Sequence, residues 1–232
     1  MILARTFSAA GLNSLSILLM FRIDLHTHSI VSQDGGISFE RYKNLIANKS
    51  LDYIAITDHN DISGALKLQE SIGQNIIVGE EILTTDGEII GLYLNSRIES
   101  GLTAKETIQK IREQNGLVYI PHPFETMRKG LSKEVLTLVI EEVDIIETFN
   151  ARGRFRNHSL ETKQPPFSNL PFASSSDAHC RFGIGTAYSV VSEPPTRENL
   201  QALLLAGSRE EKFAPMPSYL CPTINRFKKR FA

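Results

Sequence analysis

The chain has 232 residues, of which 41% are hydrophobic and 22% are charged. These values are typical of a globular protein, and they exclude intrinsic disorder, collagen-like repeats and a multi-span membrane protein. Lysine and arginine together number 25 against 26 acidic residues, a balance that argues against a protein held to nucleic acid by a general attraction to phosphate.

The first twenty residues carry Arg5 as their only charged residue. The apolar run in this stretch is shorter than the roughly 20 residues that a membrane-spanning helix needs, and no small-residue cleavage site follows it. We expect residues 1–20 to form a poorly ordered extension, with a transit peptide or a natural start at Met20 as the alternatives. The predicted catalytic domain covers residues 21–210.

From Phe21 onward, short apolar runs alternate with amphipathic stretches, a pattern typical of βα units around a largely parallel sheet. Strands are predicted at residues 21–25, 51–56, 75–82, 88–94, 117–120, 144–148 and 170–173. Helices are predicted at residues 39–48, 62–72, 103–114, 133–142 and 196–206, the third beginning with a Thr103…Glu106 capping box. This α/β pattern favours a small or distorted (β/α) barrel.

The C-terminal region has two features of its own. Residues 211–232 end in a basic cluster, which is typical of a solvated tail; its members are Arg226, Lys228, Lys229 and Arg230. The two cysteines, Cys180 and Cys221, lie far apart and match no zinc-binding or redox spacing. We therefore expect no disulfide and a reducing, cytoplasmic location.

Candidate metal ligands follow the predicted strands, at the point where each strand ends. They are His26 and His28 after the first strand, His59 after the second, His122 after the fifth, and Asp177 with His179 after the seventh. Residues two apart on a strand point to the same side, and the carboxyl ends of barrel strands converge on one mouth. Mixed imidazole and carboxylate donors suit Zn²⁺, Mn²⁺ or Fe²⁺. The sequence therefore predicts a metal site at this mouth.

Five short motifs occur in a fixed order along the chain. They are Asp24-Leu25-His26-Thr27-His28-Ser29, Ile56-Thr57-Asp58-His59, Gly79-Glu80-Glu81-Ile82, Ile120-Pro121-His122-Pro123 and Ser175-Ser176-Asp177-Ala178-His179. Over residues 21–192 this order resembles the PHP (polymerase and histidinol phosphatase) family of metal-dependent phosphoesterases. The resemblance implies a distorted (β/α)₇ TIM-like barrel whose mouth holds two or three divalent metal ions.

The resemblance also implies roles for individual residues. The implied ligands are His26, His28, His59, His122, Asp177 and His179. Glu81 is a better match than its neighbour Glu80 for the bridging carboxylate of the family. Asp34 matches the aspartate that follows the first histidine pair, with a plain Asp–Gly turn as the alternative. Glu88 stands where several relatives have a histidine, which makes it a candidate for an additional ligand, with a supporting role beside the ligands or simple exposure as the alternatives.

The chemistry expected at such a mouth is hydrolysis of a phosphate ester by water activated by divalent cations. His59 and His179 are candidates for protonating the leaving oxygen, and Asp58 is a candidate for an orienting partner. Arg128 and Arg152 each follow a strand exit and are candidates for binding the substrate phosphate. Surface salt bridges are the alternative for both arginines.

Two other functions stay open. An amidohydrolase also begins with a His-x-His pair at a barrel strand, but the predicted strands carry no lysine to bridge its metals. A non-catalytic, PHP-like scaffold domain is the second alternative. The charge balance favours a small phosphorylated metabolite or nucleotide as the substrate. Short nucleic acid is also compatible with this charge balance. No membrane partner is expected, and the oligomeric state stays open.

Overall fold

A computed structural model describes residues 20–154 and 159–231. The prediction for residues 1–19 therefore lies outside the described residues. The strands are Phe21–Asp24 (β1), Tyr53–Ile56 (β2), Ile76–Leu83 (β3), Glu88–Leu92 (β4), Leu117–Ile120 (β5), Ile145–Asn150 (β6), Phe172–Ser175 (β7), Ala187–Val191 (β8) and Ser208–Glu211 (β9). The helices are Phe39–Ala47 (α1), Ser63–Ile72 (α2), Ala104–Glu113 (α3), Lys133–Val139 (α4), Ser159–Thr162 (α5), Leu200–Ala206 (α6) and Cys221–Arg230 (α7).

The strands form one mixed sheet in the order β7-β6-β5-β4-β3-β2-β1-β8-β9. Neighbours are parallel from β1 to β3 and from β5 to β7, whereas β4 runs antiparallel to both β3 and β5. The sheet nearly closes on itself, because the Ser174 backbone N–H in β7 donates to Ser189 Oγ in β8 at 3.3 Å. The predicted distorted, TIM-like barrel is confirmed.

Strand alternation divides the core into two layers. Ile54 and Ile56 of β2 pack outward among the helices, while Ala55 between them packs into the barrel interior. Leu200 of α6 belongs to the interior cluster. The Gln201 amide of the same helix donates to Asp144 Oδ1, just before β6, at 3.0 Å. Helix α6 therefore covers the end of the barrel opposite the strand carboxyl ends.

The sequence analysis missed β8 and β9. Strand β9 is a polar edge strand of sequence Ser-Arg-Glu-Glu, so it carries no hydrophobic period. It forms because β8 offers an open edge, with which it pairs antiparallel. The capping box was predicted correctly. The Glu106 backbone N–H donates to Thr103 Oγ1 at 3.3 Å, and the Thr103 N–H donates to Glu106 Oε2 at 2.9 Å.

Two expectations about the C-terminal region are wrong. Cys180 and Cys221 form a disulfide, with their Cα atoms 6.1 Å apart. The basic cluster lies on helix α7, which begins with a proline in its first turn, a favoured position for this residue. The helix is held against the barrel because Lys229 Nζ donates to the carbonyl oxygens of Ile30 and Gly35 at 2.6 and 2.7 Å. The sequence did not predict the disulfide or the Lys229 contacts, because their partners lie far apart in the chain.

Within the described ranges, no helix combines the length and the apolar character needed to cross a bilayer.

Candidate metal centre

A pocket of about 390 Å³ opens at the carboxyl ends of the parallel strands. Its lining includes predicted ligands and cationic side chains, namely Asp34, His59, Glu81, Glu88, His122, Asp177 and His179 together with Arg128, Arg152 and Arg226. The structure thus brings together residues that are spread over most of the chain.

The two histidines that follow β1 are buried against Glu81, one of the residues that line the pocket. His26 Nε2 and His28 Nε2 lie 3.1 Å apart, and both side chains are fully buried. Glu81 Oε2, at the end of β3, lies 3.3 Å from each of these nitrogens. Two ring nitrogens and a carboxylate oxygen therefore converge on one point.

Glu81 also connects the ends of β2 and β5. Its Oε1 lies 3.0 Å from His122 Nε2, and its Oε2 lies 3.1 Å from His59 Nδ1. A parallel β-bridge between His59 and Glu81 fixes this register. Glu80 lies on the opposite face of β3, where it accepts a hydrogen bond from the Ile98 N–H at 2.8 Å. The choice of Glu81 over Glu80 therefore agrees with the placement of the two side chains.

Two aspartates reach the same cluster from different loops. Asp177 Oδ1 lies 3.4 Å from His28 Nε2. Asp34 Oδ1 lies 3.6 Å from His59 Nε2 and 3.5 Å from His179 Nε2. The Asp34 carboxylate therefore points toward the histidines, which the Asp–Gly turn alternative does not require.

Glu88 enters the pocket because β4 runs antiparallel to its neighbours, so that its first residue lies at the mouth. Its carboxylate oxygens lie 3.7 Å from His59 Nδ1 and 3.7 Å from His122 Nε2. Burial raises the pKa of Glu88 to about 9, and the negative charge of Glu81 adds to this effect. Such a carboxyl group binds a proton unless a positive charge lies close to it.

The donor atoms fit divalent cations. Among the residues that the structure describes, four overlapping groups have donor atoms within 4.8 Å of one another; they are His28/Asp34/His59/His179, His26/Glu81/His122, His26/His28/Asp177 and His59/Glu81/Glu88. Burial lowers the pKa of His28 to about 4, and the neighbouring His179 adds to this shift. Burial also lowers the pKa of His59 and of His179. These imidazoles are therefore neutral near pH 7, which is the form that binds a metal ion.

Glu147 is a site residue that the sequence analysis missed. Its Oε1 lies 3.2 Å from His26 Nδ1 and accepts a hydrogen bond from the Tyr119 hydroxyl at 2.8 Å. Its Oε2 accepts from the His122 backbone N–H at 2.6 Å and from the Asn150 amide at 2.8 Å. A carboxylate on the far ring nitrogen orients a metal-binding histidine. The available signal was a charged residue within the apolar run of β6.

Neighbouring carboxylates and burial have opposite effects on the pKa of His26. Burial acts to lower the pKa of His26, but the carboxylates of Glu81, Asp177 and Glu147 outweigh it and hold that pKa well above its ordinary value. The His26 imidazole therefore favours its protonated, positively charged form beside these carboxylates.

Asp58 does not join the donor cluster. Its Oδ1 accepts a hydrogen bond from the Ser29 backbone N–H at 2.6 Å, and its Oδ2 accepts one from Ser29 Oγ at 2.5 Å. Burial raises the pKa of Asp58 to about 6. Asp58 therefore holds the loop after β1, rather than the ring of His59.

The two predicted phosphate-binding arginines lie at the pocket wall, beside Asp177. Arg128 Nη1 donates to Asp177 Oδ2 at 2.7 Å, and Arg152 Nη1 donates to Asp177 Oδ1 at 3.3 Å. Both side chains are 16% exposed. They are inner, paired groups rather than surface salt bridges.

Comparison with known proteins identifies the family. Residues 24–170 match the family model of the PHP domain. The chain belongs to the PHP family. The uncharacterized protein MJ1587 of Methanocaldococcus jannaschii is 37% identical over 152 residues, which cover 60% of this chain and 89% of that protein.

Solved structures share the fold of this chain. A two-domain protein from Bacteroides vulgatus, described as containing a "predicted PHP-like metal-dependent phosphoesterase", is similar with a TM-score of 0.63 and 19% identity. The match covers 81% of this chain and 62% of that one. An amidohydrolase from Chromobacterium violaceum has a TM-score of 0.56 and 14% identity, covering 70% of this chain and 89% of that one. Membership of the PHP family and the buried donor groups together support a metal-dependent hydrolase.

Proposed function

We propose that this PHP protein is a phosphoesterase that hydrolyses the phosphate ester of a small metabolite or nucleotide. The observation that carries the proposal is the position of Glu81. Its carboxylate belongs to two of the four donor groups, one with His26 and His122 and one with His59 and Glu88. A carboxylate shared between donor groups is suited to bridge two cations at the roughly 3.5–4 Å spacing of two-metal hydrolases.

The residues proposed to hold divalent ions are His26, His28, Asp34, His59, Glu81, His122, Asp177 and His179, with Glu88 as an additional donor. Bound Zn²⁺, Mn²⁺ or Fe²⁺ would lower the pKa of a coordinated water and offset the charge of a phosphoryl group. Glu147 supports this set because it fixes the ring of His26 and the backbone of His122.

Arg128 and Arg152 are proposed to orient the substrate. Asp177 holds one guanidinium nitrogen of each arginine beside the donor groups. The planar guanidinium fork matches two oxygens of a phosphate group, so the pair is suited to bind and turn the ester toward the donors.

His59 is the better placed of the two candidates for moving a proton. Its side chain is 26% exposed at the pocket, whereas that of His179 is 3% exposed. His179 Nδ1 also lies 2.9 Å from the Asp177 carbonyl oxygen and 3.1 Å from Arg152 Nη1. If its ring is not occupied by a metal ion, His59 is therefore the candidate for protonating the leaving oxygen, and we assign a binding role to His179. Asp58 supports them indirectly through the loop after β1.

The dimensions of the pocket favour a small substrate. Its volume of about 390 Å³ lies within the range of roughly 300–1,000 Å³ that is usual for small-ligand sites. A phosphorylated metabolite or a nucleotide fits this volume, and one end of a short oligonucleotide is compatible with the open mouth.

A substrate panel tests the proposal. The purified full chain, loaded with Mn²⁺ or Zn²⁺, is assayed against phosphorylated metabolites, nucleotides and a set of amides. We expect turnover of at least one phosphate ester and loss of that turnover in the His26→Ala/His28→Ala double variant, whose fold is checked by circular dichroism. Turnover of amides without esters would favour an amidohydrolase, and a protein with neither metal nor turnover would favour a scaffold.

A further inference from the structure

Helix α7 joins two loops that carry candidate metal ligands. The Asn225 amide nitrogen donates to the carbonyl oxygen of Asp34 at 2.8 Å and to that of His179 at 2.9 Å. Gly36 lies directly beside this amide, and a Cβ at position 36 would lie 2.6 Å from the Asn225 nitrogen. A side chain at position 36 would therefore displace the Asn225 amide from this place.

Both ends of α7 are fixed to the same two loops. At its first residue, Cys221 forms the disulfide with Cys180, the neighbour of His179 in the chain. Near its last turn, Lys229 Nζ donates to the carbonyl oxygens of Ile30, Ser32 and Gly35 at 2.6, 2.5 and 2.7 Å. These contacts hold the helix as a wall of the pocket.

Arg226 projects from this wall toward the donor cluster. Its Nη1 donates to Asp34 Oδ2 at 2.9 Å, while the other oxygen of Asp34 faces His59 and His179. The residue lines the pocket, and its side chain is 51% exposed. A guanidinium carries five N–H donors, so the single contact with Asp34 leaves donors available to a ligand.

Arg226 differs in this respect from the two inner arginines. Arg128 and Arg152 are each 16% exposed, and both contact Asp177. Arg226 contacts Asp34 instead of Asp177. Its side chain is the most exposed of the three arginines that line the pocket. A phosphate group bound at the mouth would meet it without displacing a buried ion pair.

We propose that Arg226 is a substrate-binding residue, whose guanidinium contacts the phosphate oxygens of an ester at the mouth and which α7 holds in place. This inference rests on the proposed phosphoesterase function. It gives the C-terminal basic cluster a role in the site, through the one arginine of the cluster that lines the pocket.

The experiment compares Arg226→Gln with Arg230→Gln, a matched control at an exposed position one turn further along α7. The probe is inorganic phosphate, titrated by calorimetry into the Mn²⁺-loaded full chain. Metal content, KM and kcat are measured on the same samples. We expect Arg226→Gln to weaken phosphate binding and to raise KM about tenfold, the effect of losing one charge-assisted hydrogen bond. We expect kcat to stay within about twofold, Arg226→Lys to keep part of the affinity, and Arg230→Gln to match the wild type.

Unchanged phosphate affinity in Arg226→Gln with full metal content would overturn the inference. Loss of metal from this variant would overturn it as well, because Arg226 would then act by holding Asp34. If the wild type hydrolyses no phosphate ester, the proposed function fails while the phosphate titration still decides the role of Arg226. Arg226→Lys keeps the charge and provides a second variant if the glutamine variant does not fold.

Discussion

The Nε2 atom of His122 lies 3.0 Å from Oε1 of Glu81, although 41 residues separate the two in the chain. They meet because β3 and β5 lie on either side of β4, which is antiparallel to both. Side chains at the ends of β3 and β5 therefore approach each other above the start of β4. The same arrangement brings Glu88 into the pocket, and it concentrates acidic groups where cations are expected.

Replacing Glu81 tests its bridging role. We expect Glu81→Gln to lower the metal content and to reduce kcat/KM by more than about 100-fold, the upper end of what loss of a supporting residue costs. The reason is that an amide lacks the charge with which a carboxylate holds cations. Glu80→Gln, on the other face of β3, is the control and should keep its metal. Full metal occupancy in Glu81→Gln would remove Glu81 from the ligand set.

Glu147 is predicted to support the site without binding an ion itself. Glu147→Gln keeps the shape of the side chain but removes the charge beside His26, so metal affinity should fall by about 10- to 100-fold. Competition with a chelator of known affinity measures this change. Glu141→Gln, at an exposed position nearby, should leave the affinity unchanged. Equal affinities for both variants would show that Glu147 has only a structural role.

The disulfide has two measurable consequences. Thiol titration of the unfolded, non-reduced protein should detect no free cysteine, since Cys180 and Cys221 are paired. The Cys180→Ser/Cys221→Ser variant should lose about 2–4 kcal/mol of unfolding free energy, because a cross-link restricts the unfolded chain. Urea unfolding measures this loss. Two reactive thiols in the non-reduced protein would show instead that the two cysteines are not paired, as the sequence alone predicted.

The capping box should contribute to stability but not to catalysis. Thr103→Ala removes the acceptor of the Glu106 N–H at the start of α3, and the free energy of unfolding should fall by about 1 kcal/mol. Metal content and kcat should not change, because the box lies at the surface. Lys105→Ala, an exposed position of the same helix, should stay within about 0.5 kcal/mol of the wild type. Equal losses in both variants would contradict a capping effect.

Local patterns predicted β1 to β7 because each of these strands is an apolar run with a clear end. The same patterns predicted that histidines after separate strands would meet, since parallel strands share one carboxyl edge. The sequence predicts an orienting role for Asp58, and in the structure its carboxylate accepts hydrogen bonds from the backbone N–H and the hydroxyl of Ser29.

Other features depend on contacts that no local pattern contains. Helix α7 lies at the mouth because Asn225 and Lys229 find backbone carbonyl groups almost two hundred residues earlier, with Lys229 and Ile30 separated by 199 positions. The sequence places Glu147 within an apolar strand without revealing its partners, because Tyr119 lies on β5 and His26 follows β1. Helix α7 and Glu147 both meet these partners only once the barrel has folded.

The central claim is that the histidines and carboxylates of the mouth bind divalent cations together. Its most direct test is the metal content of the purified full chain, measured by mass spectrometry after removal of metal, reloading with Mn²⁺ or Zn²⁺ and gel filtration. We predict more than one ion per chain. A folded protein that retains no divalent ion after this treatment would contradict the account.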